Sequence, residues 1–296
     1  MIICNIQGGL GNQMFQYAMG LSLALDANQE IKFSVDSLLH YGAHNGFELS
    51  RVFNLKIPTA NKEDLENILG SLRSQVILRR ILSLKFAHIF RGQKFFAENS
   101  KGNYSELLLR LDGDLYLQGY WQSEEYFSKN AEHIRKVFNF PGEMSGKNLE
   151  LLHQFQECDA VSIHVRRGDY ARNPKALKTH GLCSLEYYDS AIHSIQNRVK
   201  NPHYYVFTDD ADWVAATLLG KYPNMSVINH NTALNSFYDM RLMSVCKHHI
   251  IANSSFSWWG AWLNSSNEKI VIAPRQWFVD KRRNAGYLLP SSWERM

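Results

Sequence analysis

Short apolar runs alternate regularly with helical stretches through the second half of the chain. The runs are rich in β-branched and aromatic residues, as is typical of buried strands. The predicted strands are Ala160–Val165, His203–Thr208, Met225–Ile228, His249–Ala252 and Ile270–Ala273. The predicted helices are Ser184–Lys200, Asp210–Leu219, Ser236–Val245 and Ser257–Leu263. Strands that alternate with helices form parallel sheets with right-handed crossovers, so this half is predicted to be an α/β domain.

The first half opens in the same style and then becomes irregular between residues 40 and 110. Its predicted elements are strands Ile2–Ile6, Ile31–Val35 and Leu115–Tyr120 and helices Met14–Leu25 and Ser123–Phe138. The turn-forming segment Pro141–Gly146 is the best candidate for a linker. The predicted domains are therefore 1–142 and 147–296, and we hypothesise that the last helix packs back on the first domain.

Composition and charge exclude several classes of protein. A net charge of +4 over 296 residues is too small to indicate binding to nucleic acid. The four cysteines form no CxxC pair, so we expect neither a disulfide framework nor a zinc site, and a reducing compartment fits. The start of the chain lacks the features of a signal peptide, and no apolar run is long enough to span a bilayer. We therefore expect a cytoplasmic protein.

The segment Val161–Tyr170 joins a β-branched strand to two arginines, a glycine and an aspartate. Because side chains alternate along a strand, His164 and Arg166 face the same side. Arg166 stands at the carboxyl end of the strand, where open α/β sheets bind their ligands. A guanidinium matches the oxygens of a phosphate group, so a phosphorylated ligand is one interpretation. A structural ion pair between an arginine and an aspartate is the other, and this segment alone does not separate them.

Polar residues also follow two other predicted strands, and two more lie in the glycine turn after the first strand. Asp209 and Asp210 precede a helix, where one acid serves as a cap and the other is left for a ligand such as guanine, which offers two N–H donors together. Ser254 and Ser255 open a helix, and their hydroxyls and the free backbone amides suit a phosphate. The turn Gly8–Gln13 lets backbone amides approach an anion, with helix capping as the alternative for its two polar side chains.

We predict no metal site. Asp112-Gly113-Asp114 has the spelling of a metal-binding pair, but Asp-Gly is a common turn before a strand and nothing nearby supplies further ligands. The histidines show no HExxH spacing. An arginine, a carboxylate and a serine cluster at one sheet edge would together hold a nucleoside diphosphate without a metal ion.

Three segments are similar to motifs of one known family. Gly8–Ala18, His164–Tyr170 and Ser255–Leu263 resemble, in sequence and order, the α-1,2-fucosyltransferases of glycosyltransferase family 11, in its bacterial branch. The segments span nearly the whole chain. The resemblance implies a GT-B fold, in which two Rossmann-like domains face each other across a cleft. It also implies inverting, metal-independent transfer of L-fucose from GDP-L-fucose to the 2-hydroxyl of a galactoside.

The resemblance assigns roles by position. Arg166 would bind the β-phosphate and balance the charge of the leaving GDP. Asp169 would be either the base that takes the proton of the acceptor hydroxyl or only an orienting partner of Arg166 or Arg167. The remaining implied donor contacts are His164 to the nucleotide, Asp209 or Asp210 to guanine, Ser254 or Ser255 to phosphate, and Gly11, Asn12 and Gln13 to the fucose or the diphosphate.

Two other functions stay open at this stage. One is a fucosyltransferase with another linkage or acceptor, because the acceptor determinants are expected in the irregular region, where we find no motif. The other is a non-catalytic module that binds a nucleotide sugar. A binding module has no need for an acceptor-side element such as Gly11-Asn12-Gln13, so the presence of all three motifs favours an enzyme.

The segment 67–97 stands apart because it contains no acidic residue and mixes six lysines and arginines, Arg79 among them, with large apolar residues. A basic helix with this apolar load can lie on an anionic membrane surface, which would make the protein peripheral on the inner face of the membrane. The simpler interpretation is a packed helix with a solvated basic face.

Overall fold

The computed structural model describes residues 1–39, 45–98, 113–280 and 286–296. The chain forms two compact units, Met1–Pro141 and Gly142–Met296. Each unit contains one sheet, and all the strand pairs described are parallel. The predicted α/β class with parallel sheets is therefore confirmed.

The first unit is built on a four-stranded sheet with the order β2-β1-β4-β3. The strands are β1 (Ile2–Asn5), β2 (Ile31–Ser34), β3 (Phe95–Ala97) and β4 (Leu115–Gln118). The helices are α1 (Leu10–Ala27), α2 (Asp36–Leu39), α3 (Leu49–Phe53), α4 (Lys62–Leu69), α5 (Val76–Leu82) and α6 (Ala131–Val137), and 3₁₀ helices lie at Lys85–Phe90, Glu124–Tyr126 and Ser128–Asn130. Strands β1 and β4 are buried along their whole length, as central strands of a parallel sheet should be.

The second unit has a six-stranded sheet with the order β10-β9-β8-β5-β6-β7. The strands are β5 (Asp159–Val165), β6 (Pro202–Thr208), β7 (Met225–Ile228), β8 (His248–Ile250), β9 (Val271–Ala273) and β10 (Glu294–Arg295). The helices are α7 (Gly146–Glu157), α8 (Gly168–Arg172), α9 (Pro174–His180), α10 (Leu185–Gln196), α11 (Ala211–Thr217), α12 (Phe237–Val245) and α13 (Ser255–Leu263), with a 3₁₀ helix at Ala233–Asn235. The chain adds β6 and β7 on one side of β5 and then places β8 on the other side. The carboxyl ends of β5 and β8 therefore form a topological switch point, where sheets of this kind have their ligand crevice.

Strand β5 separates two apolar cores. Val161, Ile163 and Val165 pack with α10 on one face of the sheet. Ala160 lies in the core on the other face, together with residues of α7 and α12. His164 alternates with Ile163 and Val165 and therefore faces this second side, where its ring lies 5.9 Å from that of Phe256 between centroids.

Two of the predicted elements differ from the structure. The helix predicted over Ser123–Phe138 is interrupted, because the backbone of Phe127 is not helical (φ −141°, ψ 13°); 3₁₀ helices precede and follow it, and α6 begins only at Ala131. A last helix that packs back on the first unit does not occur among residues 264–280 and 286–296, where the chain forms β9 and β10.

The segment 67–97 is not one helix. It holds the end of α4, then α5, a 3₁₀ helix and β3. Arg79, which the sequence groups with the other cations of this segment, is buried and forms an ion pair with Asp36. Its Nη1 donates to Ser34 Oγ at 2.9 Å and to Tyr116 Oη at 3.0 Å. No helix within the described ranges is long and apolar enough to cross a membrane.

Candidate active site

His164 and Arg166 lie at the carboxyl end of β5, beside the switch point. His164 is buried, and its Nδ1 has no hydrogen-bond partner among the described residues. Burial, with a further contribution from the charge of Arg166, lowers the pKa of His164 to about 4. The imidazole is therefore neutral at physiological pH. It provides an unpaired ring nitrogen at the place where the sequence predicted a nucleotide contact.

Arg166 forms an ion pair with Asp209 at the end of the neighbouring strand β6, with 2.9 Å between Nη1 and Oδ2. The other oxygen of Asp209 accepts the backbone N–H groups of Arg167 at 2.8 Å and Gly168 at 3.0 Å. Burial opposes ionisation of Asp209, but Arg166 and these two amides outweigh it, so the pKa of Asp209 is lowered. Arg166 therefore pairs with Asp209 on the neighbouring strand, whereas the ion pair with an aspartate of its own segment stays a prediction, because the Asp169 side chain lies outside the described part of the structure. The pair with Asp209 does not exclude a phosphate, because a guanidinium carries five N–H donors.

Arg167 has a different environment from Arg166. Its Nε lies 3.2 Å from Asp210 Oδ2, and its guanidinium carbon lies 4.3 Å from the centroid of the Trp213 ring. Asp210 also caps α11 by accepting the N–H of Trp213 at 3.2 Å. Arg167 and Asp210 therefore stabilise the start of α11. Both carboxylates that the sequence offered for guanine, Asp209 and Asp210, are thus paired with an arginine.

An open pocket of about 500 Å³ lies next to the Arg166–Asp209 pair and is lined by Gly168, Arg172, Asn173 and Asp209. A Cβ atom placed on Gly168 would lie 2.8 Å from Asp209 Oδ2 and 2.9 Å from its Cγ. Only a glycine at this position lets the carboxylate of Asp209 approach the backbone of the loop after β5.

We therefore expect Gly168→Ala to lower the free energy of unfolding by about 1–3 kcal/mol, the usual cost of an extra methyl group in a packed site. Affinity for a ligand held by Arg166 should fall as well, because Asp209 must move. Urea denaturation and titration with GDP measure the two effects. Gly113→Ala is the matched control, since no atom of the described residues lies within 4 Å of its Cβ position. Equal stability of the two variants would contradict the close contact.

Ser254 and Ser255 lie at the start of α13, directly after β8. Ser254 is the N-cap, and its hydroxyl accepts the N–H of Phe256 at 3.3 Å. Ser255 is half-buried, and its hydroxyl has no hydrogen-bond partner in the described part of the chain. The helix amino end and this hydroxyl together suit an anion. Trp258 and Trp259 are fully buried, so the aromatic part of this motif belongs to the core.

The polar side chains of the turn Gly8–Gln13 form hydrogen bonds within the first unit. Gln13 is fully buried; its Nε2 donates to Gly8 O at 2.9 Å and Gly46 O at 2.8 Å, and its Oε1 accepts the N–H of Glu48 at 2.9 Å. Asn12 Oδ1 accepts from Gln122 Nε2 at 2.7 Å. Contact between the Gln13 amide and the sugar-nucleotide donor would require its hydrogen bonds to open. Gly11 is buried in the first turn of α1.

Asp239, which the sequence analysis missed, is a half-buried carboxylate in the first turn of α12. Its Oδ1 accepts from Asn231 Nδ2 at 2.8 Å, and the described residues offer it no cation. Burial outweighs this hydrogen bond and raises the pKa of Asp239 to about 7. The available signal was its place in the first turn of the helix that follows strand β7.

Helix α12, which carries Asp239, packs against α13, which begins at Ser255. Both helices follow strands of one parallel sheet, so they run in the same direction. A Cβ atom on Gly260 would lie 2.9 Å from Met243 Cβ, which sets their register. Asp239 lies one turn before Met243 on α12. Phe256, the residue after Ser255 and the ring neighbour of His164, lies one turn before Gly260 on α13.

Two aspartates singled out from the sequence, Asp169 and Asp112, are not fully covered by the described part of the structure. The Asp169 side chain lies outside the part of the structure that is described, although its backbone belongs to α8. Asp112 also lies outside it, while Asp114 pairs with the N-terminal ammonium group and with Lys94. Within the described ranges, no group of three or more histidines, cysteines and acids is arranged to hold a metal ion.

Comparison with known proteins identifies similar sequences over the full length. A family model described as glycosyl transferase family 11 matches residues 1–293. An alpha-1,2-colitosyltransferase of Escherichia coli is 34% identical over 299 residues, which cover 100% of this chain and 98% of the relative. A galactoside 2-alpha-L-fucosyltransferase of Mus musculus, Sec1, is 21% identical over 272 residues, which cover 90% of this chain and 65% of the relative.

A solved structure is similar in fold. The alpha-1,6-fucosyltransferase NodZ, in crystals soaked with GDP-fucose, superposes with a TM-score of 0.52 at 15% identity and covers 88% of this chain and 91% of its own. At this identity the likeness concerns the fold alone, and it agrees with the predicted GT-B-like class.

Proposed function

This chain belongs to glycosyltransferase family 11 and is a glycosyltransferase, and we propose that it transfers L-fucose from GDP-L-fucose to the 2-hydroxyl of a galactoside, with inversion. The observation that carries the proposal is the arginine at the end of β5, held by Asp209 beside the serine-started helix α13. These groups surround the switch point of the sheet, where a nucleoside diphosphate is expected to bind. The names of the colitosyl and fucosyl relatives agree with a 1,2-linkage.

The proposed chemistry follows from the charge that develops when the bond between fucose C1 and the phosphate oxygen breaks. The sugar becomes cationic and GDP gains negative charge. Arg166 donates to the β-phosphate, and the amino end of α13 with Ser255 donates to the same group. These preorganised donors supply the stabilisation that a metal ion gives in other enzymes, so we propose a reaction without metal.

We further propose that Asp239, rather than Asp209 or Asp210, recognises the guanine base. Asp209 and Asp210 are already paired with arginines, whereas Asp239 is held by one amide. Guanine offers N1–H and the 2-amino group side by side, which suits a carboxylate of this kind. Binding of these two donors would favour the charged form and so lower the raised pKa of Asp239.

Asp239→Asn is therefore expected to weaken GDP binding by about 10–100-fold, as expected when a charged hydrogen-bonded pair is lost. Binding of inosine diphosphate, which keeps N1–H but lacks the 2-amino group, should fall less. In the unaltered protein, GDP affinity should rise as the pH increases through about 7, because the carboxylate must ionise. Calorimetry with both nucleotides at several pH values tests this. Equal losses for both would reject recognition of the 2-amino group by Asp239, and no loss for either would reject base recognition by Asp239.

Asp169 remains the proposed base for the acceptor hydroxyl. If it takes the proton, kcat/KM rises with pH on an ascending limb, and Asp169→Asn removes that limb. If it only orients an arginine, the variant lowers the rate and leaves the shape of the profile unchanged. Initial rates across a pH range separate the two roles, and Glu157→Gln, on another helix, serves as the control for a general loss of charge.

One experiment tests the transfer itself. Purified protein is incubated with GDP-fucose and an array of galactosides, and the linkage of any product is determined by NMR. A 1,2-linked product with inverted configuration is expected. Another linkage would favour the second fucosyltransferase hypothesis. Donor binding by calorimetry with neither hydrolysis nor transfer would favour a binding module.

A second sugar is favoured by a specific observation, the 34% identity to an alpha-1,2-colitosyltransferase. Competition between the GDP esters of fucose and colitose in the same assay identifies the preferred donor. All four cysteines are free thiols, which accords with the proposal that the protein works in the reducing cytoplasm.

A further inference from the structure

Strongly exposed apolar side chains of the first unit are confined to one short segment. Within the described parts of the chain, all large apolar side chains more than 60% exposed lie between residues 72 and 90, and their exposure ranges from 62% to 73%. They are Leu72, Ile77, Phe86, Ile89 and Phe90, which we call the apolar surface. Scattered exposed apolar residues are normal, but a concentration of this kind marks an interaction site.

The apolar surface is preformed. Ile77 lies on the outer side of α5, while Arg79 and Leu82 of the same helix turn into the core. Phe86 and Ile89 are three residues apart and share one side of the following 3₁₀ helix. The two helices are tied together, because Arg91 Nε donates to Leu82 O at 2.7 Å and its Nη2 donates to Leu84 O at 3.1 Å. Arg73 Nε donates to Phe90 O at 3.2 Å and joins the preceding turn to the same group.

The charge around the apolar surface is positive. No acidic residue occurs between Asn67 and Ala97, and six lysines and arginines do. Of these, Arg79 is buried and paired with Asp36, and Lys94 pairs with Asp114. Arg73 and Arg80 are exposed beside the apolar side chains. Apolar side chains surrounded by exposed cations are the combination that an anionic lipid surface attracts.

From these observations we propose that the apolar surface docks the protein peripherally on an anionic phospholipid membrane. The apolar side chains enter the boundary between headgroups and acyl chains, and the arginines contact lipid phosphates. The charge argues for lipid rather than for a second copy of this chain. In a symmetric dimer the same surface meets itself, and each partner would bring cations and no acid, so the two surfaces would repel.

The test is sedimentation of the full chain with two kinds of vesicle, phosphatidylcholine alone and equal parts of phosphatidylcholine and phosphatidylglycerol. We expect binding to the anionic vesicles, weakened by salt, and little binding to the neutral ones. Phe86→Ser with Ile89→Ser should lower the anionic binding by about tenfold or more, since two anchors are lost. Leu219→Ser with Val245→Ser, which changes two exposed apolar residues elsewhere, should bind as the unaltered protein does.

Hydrogen exchange of the unaltered protein gives a second measurement that does not depend on the folding of a variant. Anionic vesicles should protect amides between residues 72 and 91 and leave the second unit unchanged. Equal and negligible binding to both vesicles would overturn the proposal, as would protection elsewhere. A dimer in sedimentation equilibrium that is lost in the Phe86→Ser, Ile89→Ser variant would assign the apolar surface to a second copy instead.

Discussion

Arg166→Lys is expected to lower kcat by about 10²–10³, the usual cost of losing one preorganised donor at developing charge, or about 3–4 kcal/mol in the barrier. Arg166 is held by Asp209 at 2.9 Å and must donate to the β-phosphate from the same guanidinium. Lysine keeps the charge but has no planar fork that serves a carboxylate and a phosphate together. Arg166→Ala should lose at least as much. Single-turnover rates with GDP-fucose, with KM determined separately, measure the loss in the chemical step.

Arg167→Lys is the matched control, because Arg167 is the neighbouring arginine but pairs with Asp210 and lies on Trp213. It supports α11 and is expected to lose stability rather than catalytic rate. If the lysine variant of Arg166 keeps nearly normal turnover, the forked contact with phosphate is wrong and the ion pair with Asp209 is only structural. If both variants lose rate equally, the two arginines act as one unit.

Arg79→Met is expected to lower the free energy of unfolding of the first unit by about 3 kcal/mol, near the lower end for breaking a buried ion pair, because Asp36 retains some contact with water. Arg79 is 2% exposed and serves Asp36, Ser34 and Tyr116 at once. Methionine fills much of the same volume, so the loss reports the missing charge and hydrogen bonds. Urea denaturation with an unchanged m-value measures it.

Arg80→Met is the control at the next position along α5. Arg80 is exposed and donates only to Ser37 O at 3.1 Å among the bonds described, so a change within about 0.5 kcal/mol is expected. A similar loss in both variants would mean that helix propensity or net charge, rather than the buried network, stabilises this part of the unit.

The regular elements of the fold were predictable because hydrophobic periodicity is local. Strand Met225–Ile228 agrees at both ends with the prediction, and the other predicted strands agree to within a few residues. The interrupted helix after Ser123 was not predicted: Phe127 is fully buried with a non-helical backbone, and its burial depends on residues that are distant in the chain. The edge strands β3 and β10 were missed because such short strands form only by pairing with a neighbour already in place.

The sequence by itself determined the family, the α/β class and the positions after strands where polar side chains gather, because these depend on residue type and local order. Only the tertiary structure decided which partners those side chains have. In the folded protein, Asp209 and Asp210 pair with arginines, and the hydrogen bonds of Gln13 stay within its own unit. Asp239 is half-buried without a neighbouring cation among the described residues, and Arg79 is buried whereas Arg80 is exposed. Partners and burial are set by strand order and helix register, which bring together residues that are distant in the chain, and no local pattern encodes them.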